Sequence, residues 1–365
     1  MAKERIAYYD NMKAILILLV VVGHWVNDFS YVTDSRLVTV AAAWIYIFHM
    51  PLFLFVSGLF ATSCYSKERG FAAENVLFYF ALYVIFQALK WLVYAVLLGQ
   101  GFSASFDLFY ISAAPWYLLV LGLLTLCTPL FAQIKPAWGI AFAIALSIFN
   151  GWFNEDCSLL SLSRFFTYLP MFFFGYYLGN SKMTEIVKKW RAEGVFFRGR
   201  RLMGLGALRI LSVAFLAGMF VALYVFPSDV TALIRHYSTG IHTFPEFAEK
   251  FPSIPYAVWA VLRLLHCGLI LVIGLCVAAI TPFSNKGFFT VIGERSLQIY
   301  IGHMLILYYI RQFNIDAVMF EQFWWWIAVV PLEGVLVTCL LALPKSPNKW
   351  VRALKSSCKR FTPAK

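Results

Sequence analysis

Apolar stretches of about 20 residues recur along most of this chain and constrain its fold more than any other feature. A helix of that length spans the hydrocarbon core of a bilayer. Hydrophobic residues make up 61% of the chain and charged residues 13%, with a mean hydropathy of +0.75. In ordinary soluble domains about 45–50% of the residues are apolar and about 25% are charged. We therefore predict an all-α polytopic membrane protein, with residues 1–365 forming one transmembrane domain in the lipid bilayer.

The apolar windows predict about ten transmembrane helices. Their ranges are 12–28, 37–60, 75–98, 115–133, 137–151, 163–180, 207–227, 256–281, 291–312 and 323–343. Basic residues concentrate in segments that this count places on one side, and only Arg36, Arg235 and Lys250 fall on the other. Positive charge marks cytoplasmic loops. Both termini are therefore predicted to be cytoplasmic. The net charge of +12 is attributed to loops that contact the anionic cytoplasmic surface of the membrane, so no nucleic-acid partner is expected.

Two connecting segments are long. Segment 181–206 is strongly basic, which predicts a solvated surface helix on anionic lipid or, alternatively, an electrostatic collector for an anionic cytoplasmic ligand. Segment 228–255 lies on the outside and is expected to be an ordered lid or loop. The seven cysteines show neither a C-x-x-C pair nor a metal-ligand spacing, so no metal is expected.

The first apolar stretch places a lysine and a histidine on one helix face. Lys13 and His24 are 11 residues apart, close to three turns of 3.6 residues. Such side chains are costly within a membrane and are functional candidates there. The ionisable residues within the predicted spans are Lys13, His24, His49, Lys90, Arg164, Arg209, Arg263, His266, His303 and Arg311.

The topology places several of these residues at similar depth on different spans. We therefore expect them to face a shared hydrated cavity, although each could instead be a core residue with satisfied hydrogen bonds. A neutral imidazole can take a proton from a hydroxyl that attacks an acyl carbonyl, and nearby cations can hold a polyanionic donor or stabilise an oxyanion. Carboxylates are scarce in the spans, which argues against a proton-coupled pump.

Five motifs in order resemble membrane-bound acyltransferase family 3, especially its fucose 4-O-acetylase-like branch. They are DNMKAILILLVVVGH, IFHMPLFLFVSGLF, PWYLLVLGLL, RFFTYLPMFFFGYYLG and IGERSLQIYIGHMLIL, and the resemblance runs from about Tyr8 to about Leu343. It implies transfer of an acyl group from cytoplasmic acetyl-CoA or another short acyl-CoA to a hydroxyl of a carbohydrate or cell-surface glycan. The hallmark of the family is a basic residue, usually Arg, that is followed after ten intervening residues by His. Lys13 and His24 match this pattern.

This resemblance, combined with the predicted depths, assigns candidate roles to nine residues. The candidates are His24 and His49 for catalysis, Lys13 and Arg209 for acyl-CoA, and Trp116, Arg164, Arg263, His266 and His303 for the acceptor. We expect a multi-pass protein of the cell (plasma or inner) membrane, with a homo-oligomer as one candidate assembly. Two alternatives remain, a polysaccharide exporter of the same superfamily without acyl transfer, and a sensor or scaffold in which single histidines can be replaced.

Overall fold

The computed structural model describes residues 6–66, 70–97, 99, 101, 106–109, 114–152, 159–197 and 200–362. Within them the first helices are α1 Ala7–Phe29, α2 Arg36–Tyr46, α3 His49–Ala61, α4 Ala73–Leu92 with a π-helical extension Val93–Leu97, α5 Trp116–Leu126, α6 Thr128–Phe131, α7 Pro136–Asn150 and α8 Leu162–Ala192. The later helices are α9 Leu205–Val225, α10 Ser228–Ser238, α11 Phe244–Lys250, α12 Tyr256–Ile280, α13 Phe288–Glu294, α14 Ser296–Gln312, α15 Ile315–Gln322, α16 Trp326–Ala342 and α17 Ser346–Arg360. Two antiparallel hairpins pair β1 Tyr65–Ser66 with β2 Gly70–Phe71, and β3 Val195–Phe197 with β4 Arg200–Met203.

Helices occupy all ten predicted segments, which confirms an all-α polytopic membrane protein. Five helical segments of the described chain are long and apolar enough to cross a membrane: Ala7–Phe29, Arg36–Ala61, Ala73–Leu97, Leu205–Val225 and Tyr256–Ile280. The helix Leu205–Val225 buries only 11% of its apolar window, as expected for a helix that faces lipid. The number of ten crossings and the cytoplasmic side of both termini stay predictions.

The second predicted span is interrupted between α2 and α3. Pro51 has no N–H, so the carbonyl of Ile47 lacks its usual donor four residues later. His266 Nε2 bonds to that oxygen instead, at 2.9 Å. The carbonyl of Ile45 is bonded by His49 Nδ1 at 2.8 Å. The His266 imidazole thus pairs a carbonyl that the proline would leave unpaired in hydrocarbon. His49 adds a bond to the Ile45 carbonyl, which also accepts from the Phe48 N–H at 3.3 Å.

The ninth predicted span is also split, at Arg295 between α13 and α14. The Arg295 guanidinium donates to the carbonyls of Ala342 and Leu343 at the end of α16. Gln298 Nε2 donates to the neighbouring Leu341 carbonyl at 2.6 Å. The split therefore supplies polar side chains that hold the carboxyl end of α16 in place.

Both long connecting segments are ordered where the structure describes them. Helix α8 continues past a kink at Gly179, whose φ is +67°, and ends at Ala192. The rest of segment 181–206 then forms the β3–β4 hairpin, so the predicted surface helix covers only its first half. Segment 228–255 contains α10 and α11, which we call the roof (Ser228–Lys250).

Close backbone packing joins α3 to α8. A Cβ atom at Gly58 would overlap the backbone carbonyl of Phe172, and one at Gly175 would overlap that of Phe55. Small residues allow membrane helices to approach in this way. These two helices also carry His49 and Arg164, so their packing fixes one wall of the site described below.

Replacement of Gly175 by alanine tests this packing. Because the added Cβ meets backbone and not a movable side chain, we expect Gly175→Ala to lower stability by about 1–3 kcal/mol. The apparent melting temperature of detergent-purified protein measures the effect. Gly218→Ala on α9 is the matched control, since nothing lies within 4 Å of its added Cβ. Equal melting temperatures for the two variants would contradict the proposed backbone contact.

Candidate active site

A cavity of about 280 Å³, which we call the histidine cavity, lies between α1, α2, α3, α5, α8, α10 and α14. Its polar and aromatic lining residues are His24, Asn27, Tyr31, Tyr46, His49, Trp116, Arg164, Tyr168, Arg235, His236, Ser238, Thr239, Tyr300 and Arg311. Four of the nine predicted site residues, His24, His49, Trp116 and Arg164, thus lie on one cavity.

His24 has two ring neighbours at this cavity. Its Nδ1 lies 3.3 Å from the hydroxyl oxygen of Tyr46. The ring centroid of His303 is 5.5 Å from that of His24. Because the Tyr46 contact engages Nδ1, the opposite nitrogen, Nε2, is the atom of His24 that can act on a substrate.

Backbone carbonyls orient the other two imidazoles. His49 Nδ1 donates to the Ile45 carbonyl, and His303 Nδ1 donates to the Ile299 carbonyl at 2.9 Å. A proton on Nδ1 leaves Nε2 of a neutral ring as an acceptor. Nε2 of His303 is buried and has no hydrogen-bond partner among the described residues. It is therefore an acceptor close to His24 that a hydroxyl or water can satisfy.

The arginines of the cavity differ in their partners. The Arg164 guanidinium lies over the Trp116 ring, 4.8 Å from its centroid, and no carboxylate in the described part of the chain forms an ion pair with it. Arg311 pairs with Asp28, and Arg235 Nη1 donates to Ser30 Oγ at 2.7 Å. Among the described residues, Arg164 and Arg235 thus have no ion-pair partner, and Arg164 is the one that stacks on a ring of the cavity lining on α5.

The roof also lines the cavity and is hydrogen-bonded to α8. Tyr168 donates to the carbonyl of Ser238 at 2.7 Å, and Ser163 donates to that of Gly240 at 2.8 Å. In the roof itself, burial lowers the pKa of His236 to about 4, and the positive charges of the nearby His242 and Arg235 act in the same direction. This imidazole is consequently neutral near pH 7.

A second cavity of about 210 Å³, which we call the lysine cavity, lies nearer the amino-terminal end of α1. It is lined by Lys13, Val20, Met50, Phe53, Ser57, Phe78, Tyr79, Tyr117, Leu118, Leu121, Ser296, Leu297 and Tyr300. Met50 and Tyr300 line both cavities. The 11 residues from Lys13 to His24 correspond to a rise of about 16 Å along α1, so one helix joins the two cavities.

The entrance of α1 is anchored by its neighbouring polar residues. Asn11 Nδ2 donates to the carbonyls of Pro282 and Ser284, each at 2.9 Å, and its Oδ1 accepts from Thr290 at 2.6 Å. Lys13 Nζ lies 2.8 Å from an Asp10 carboxylate oxygen. The DNMK sequence thus fixes the start of α1 and keeps a paired lysine at the cavity.

Four predicted site residues line neither cavity: Arg209, Arg263, His266 and His303, whose ring lies beside that of His24. Arg263 is 1% exposed; its Nη1 donates to Thr167 Oγ1 at 2.5 Å, and its guanidinium lies beside the Tyr237 and Phe244 rings of the roof. His266 completes the helix break at Ile47. Arg209 Nε donates to the Ala279 carbonyl at 3.0 Å. Their contacts hold helices and the roof together.

Several cavity residues were not predicted as site residues. Tyr46, Tyr168 and Tyr300 lie in apolar helices, where a single tyrosine gives no sequence signal of function. Arg235 and His236 belong to the roof, which the sequence indicated only as a lid or loop. Arg311 was among the ionisable residues within the spans, but its pairing with Asp28 depends on the tertiary fold.

Comparison with known proteins identifies one family. The model of acyltransferase family 3, described as an acyltransferase domain, matches residues 6–343. No curated protein and no solved structure matches the chain significantly. The resemblance to the fucose 4-O-acetylase-like branch stays a prediction. Because the match covers nearly the whole chain, this multi-pass membrane protein belongs to acyltransferase family 3 and is an acyltransferase.

Proposed function

We propose that this protein transfers a short acyl group, such as acetyl, from cytoplasmic acyl-CoA to a hydroxyl of a carbohydrate or cell-surface glycan. The observation that carries this proposal is the pair of cavities that meet at Met50 and Tyr300, with Lys13 in one and His24 in the other. The thioester arm would occupy the lysine cavity, and the acceptor hydroxyl would enter the histidine cavity. The acyl carbon would then meet the hydroxyl beside His24.

His24 would act as the general base. Nε2 accepts the proton as the acceptor oxygen attacks the thioester carbonyl, and the new C–O bond gives a tetrahedral oxyanion. Arg164, which has no ion-pair partner in the described chain, can stabilise that charge. Collapse breaks the C–S bond, and the protonated His24 returns its proton to the departing CoA thiolate.

The remaining lining of the histidine cavity suits a sugar. Trp116 and Tyr168 present aromatic rings, 5.8 Å apart by centroid, and Tyr combines an apolar face with a polar edge. Asn27 and Thr239 offer hydrogen-bonding atoms for hydroxyl groups. His49, with Nδ1 held by a backbone carbonyl, would present Nε2 as a further acceptor that orients the acceptor hydroxyl.

Replacement of His24 by alanine tests the proposed base. We expect His24→Ala to lower acyl transfer by about 10²–10⁴-fold, the usual contribution of a positioned base, while the variant stays folded. Mass spectrometry of cell glycans with and without the protein identifies the acylated acceptor, and the rate of CoA thiol release measures turnover. His242→Ala is the matched control, because His242 pairs with Glu246 in the roof and does not line the cavity.

Wild-type turnover in His24→Ala would contradict the assignment of the base. The exporter alternative predicts a different result in proteoliposomes, where glycan would cross the membrane without any acyl-CoA. Acyl transfer that depends on acyl-CoA would contradict that alternative.

A bulky residue at the junction of the cavities tests the proposed acyl route. Met50 is 7% exposed and lines both cavities. We expect Met50→Trp to block passage of the thioester and lower transfer at least about tenfold, whereas CoA, which carries no acyl group to pass the junction, still binds. Parallel measurements of CoA affinity and turnover separate these effects. Val225→Trp on lipid-facing α9, where Val225 is 75% exposed, is the control. Unchanged turnover in Met50→Trp would refute the route through this junction.

A further inference from the structure

The carboxyl-terminal helix α17 has a basic face that the proposed reaction has not yet used. Within Ser346–Arg360 the charged residues are Lys349, Arg352, Lys355, Lys359 and Arg360, with no acidic residue among them. The first four follow spacings of three, three and four residues, which place them along one side of a helix. All five side chains are exposed.

The opposite face of α17 packs on the protein. Cys358 is 4% exposed, and Val351 and Leu354 lie against the same apolar core. Arg295 and Gln298 bond the carbonyls at the end of α16, and Gln298 also reaches the Pro344 carbonyl at 3.2 Å. These contacts fix the start and one face of α17, so the basic side chains project from a positioned helix.

This basic face lies beside the lysine cavity. Lys355 Nζ is 5.7 Å from the centroid of the Phe78 ring on α4. Phe78 lines the lysine cavity together with Lys13. A single aromatic side chain therefore separates a lysine of α17 from the cavity in which the thioester arm would lie.

We propose that the basic face of α17, with Lys355 nearest to the cavity, binds the phosphorylated ADP moiety of the acyl-CoA donor. This inference rests on the proposed function. The moiety is polyanionic and remains outside when the arm enters a narrow cavity, so it needs cations near the cavity but not within it. Lys355 and its neighbours on α17 meet that requirement, whereas Lys13 is already paired with Asp10. Helix α17 also lies beyond residues 6–343, the range matched by the family.

The test measures binding of CoA, dephospho-CoA and pantetheine to the full-length protein in nanodiscs of zwitterionic lipid. We expect Lys355→Gln to weaken CoA binding about tenfold, the loss of roughly one charge-assisted contact, and to leave pantetheine binding unchanged. Lys355→Arg should restore CoA affinity because it keeps the charge. Lys135→Gln, the same substitution at an exposed lysine directly before α7, is the matched control.

The outcomes separate this inference from the proposed function. Equal CoA affinity in wild type and Lys355→Gln would overturn the role of α17 and leave the acyl-CoA donor standing. Equal losses of CoA and pantetheine binding would also overturn it, since that pattern indicates a damaged cavity. Unchanged CoA affinity in Lys355→Gln together with weaker binding of anionic-lipid vesicles would assign the basic face to lipid headgroups instead. Wild-type protein that binds no CoA would overturn both proposals.

Discussion

The arrangement of the site depends on how two backbone carbonyls are satisfied at the break between α2 and α3. In hydrocarbon an unpaired carbonyl is expensive, and Pro51 removes the donor that Ile47 would otherwise have. His266 supplies the replacement bond to Ile47, and His49 adds a bond to the Ile45 carbonyl beside that from the Phe48 N–H. The break then allows α3 to begin at His49, beside the histidine cavity. His49 thus belongs to the cavity wall, and His266 supports that wall from α12.

Much of the architecture could be predicted because it follows from local patterns. Apolar windows of about 20 residues located the helical segments, and the 11-residue spacing placed Lys13 and His24 on one side of α1. The family was also predicted correctly from ordered motifs. Residue type and depth could not distinguish Arg164, which lines the cavity, from Arg263, which ties the roof to α8. That difference depends on tertiary neighbours, and so does the ion pair between Arg311 and Asp28.

The two cavities give each end of the proposed reaction its own environment. The lysine cavity combines one paired lysine with mostly apolar and aromatic walls, which suits an uncharged thioester arm. The histidine cavity gathers imidazoles, arginines and hydroxyls, which suit a polar acceptor. Met50 and Tyr300 stand where these environments meet, so the reacting carbon would pass from an apolar to a polar setting only at the place of reaction.

The glycine contacts between α3 and α8 have a mechanical consequence. Gly58 and Gly175 bring the two backbones into direct contact with no side chain between them. Side-chain rearrangement therefore cannot widen the cavity at that wall. The roof is held to α8 by individual hydrogen bonds from Ser163 and Tyr168, which break and re-form far more readily than interlocked backbones separate. If a large acceptor has to widen the cavity, we therefore expect the change at the roof and not between α3 and α8.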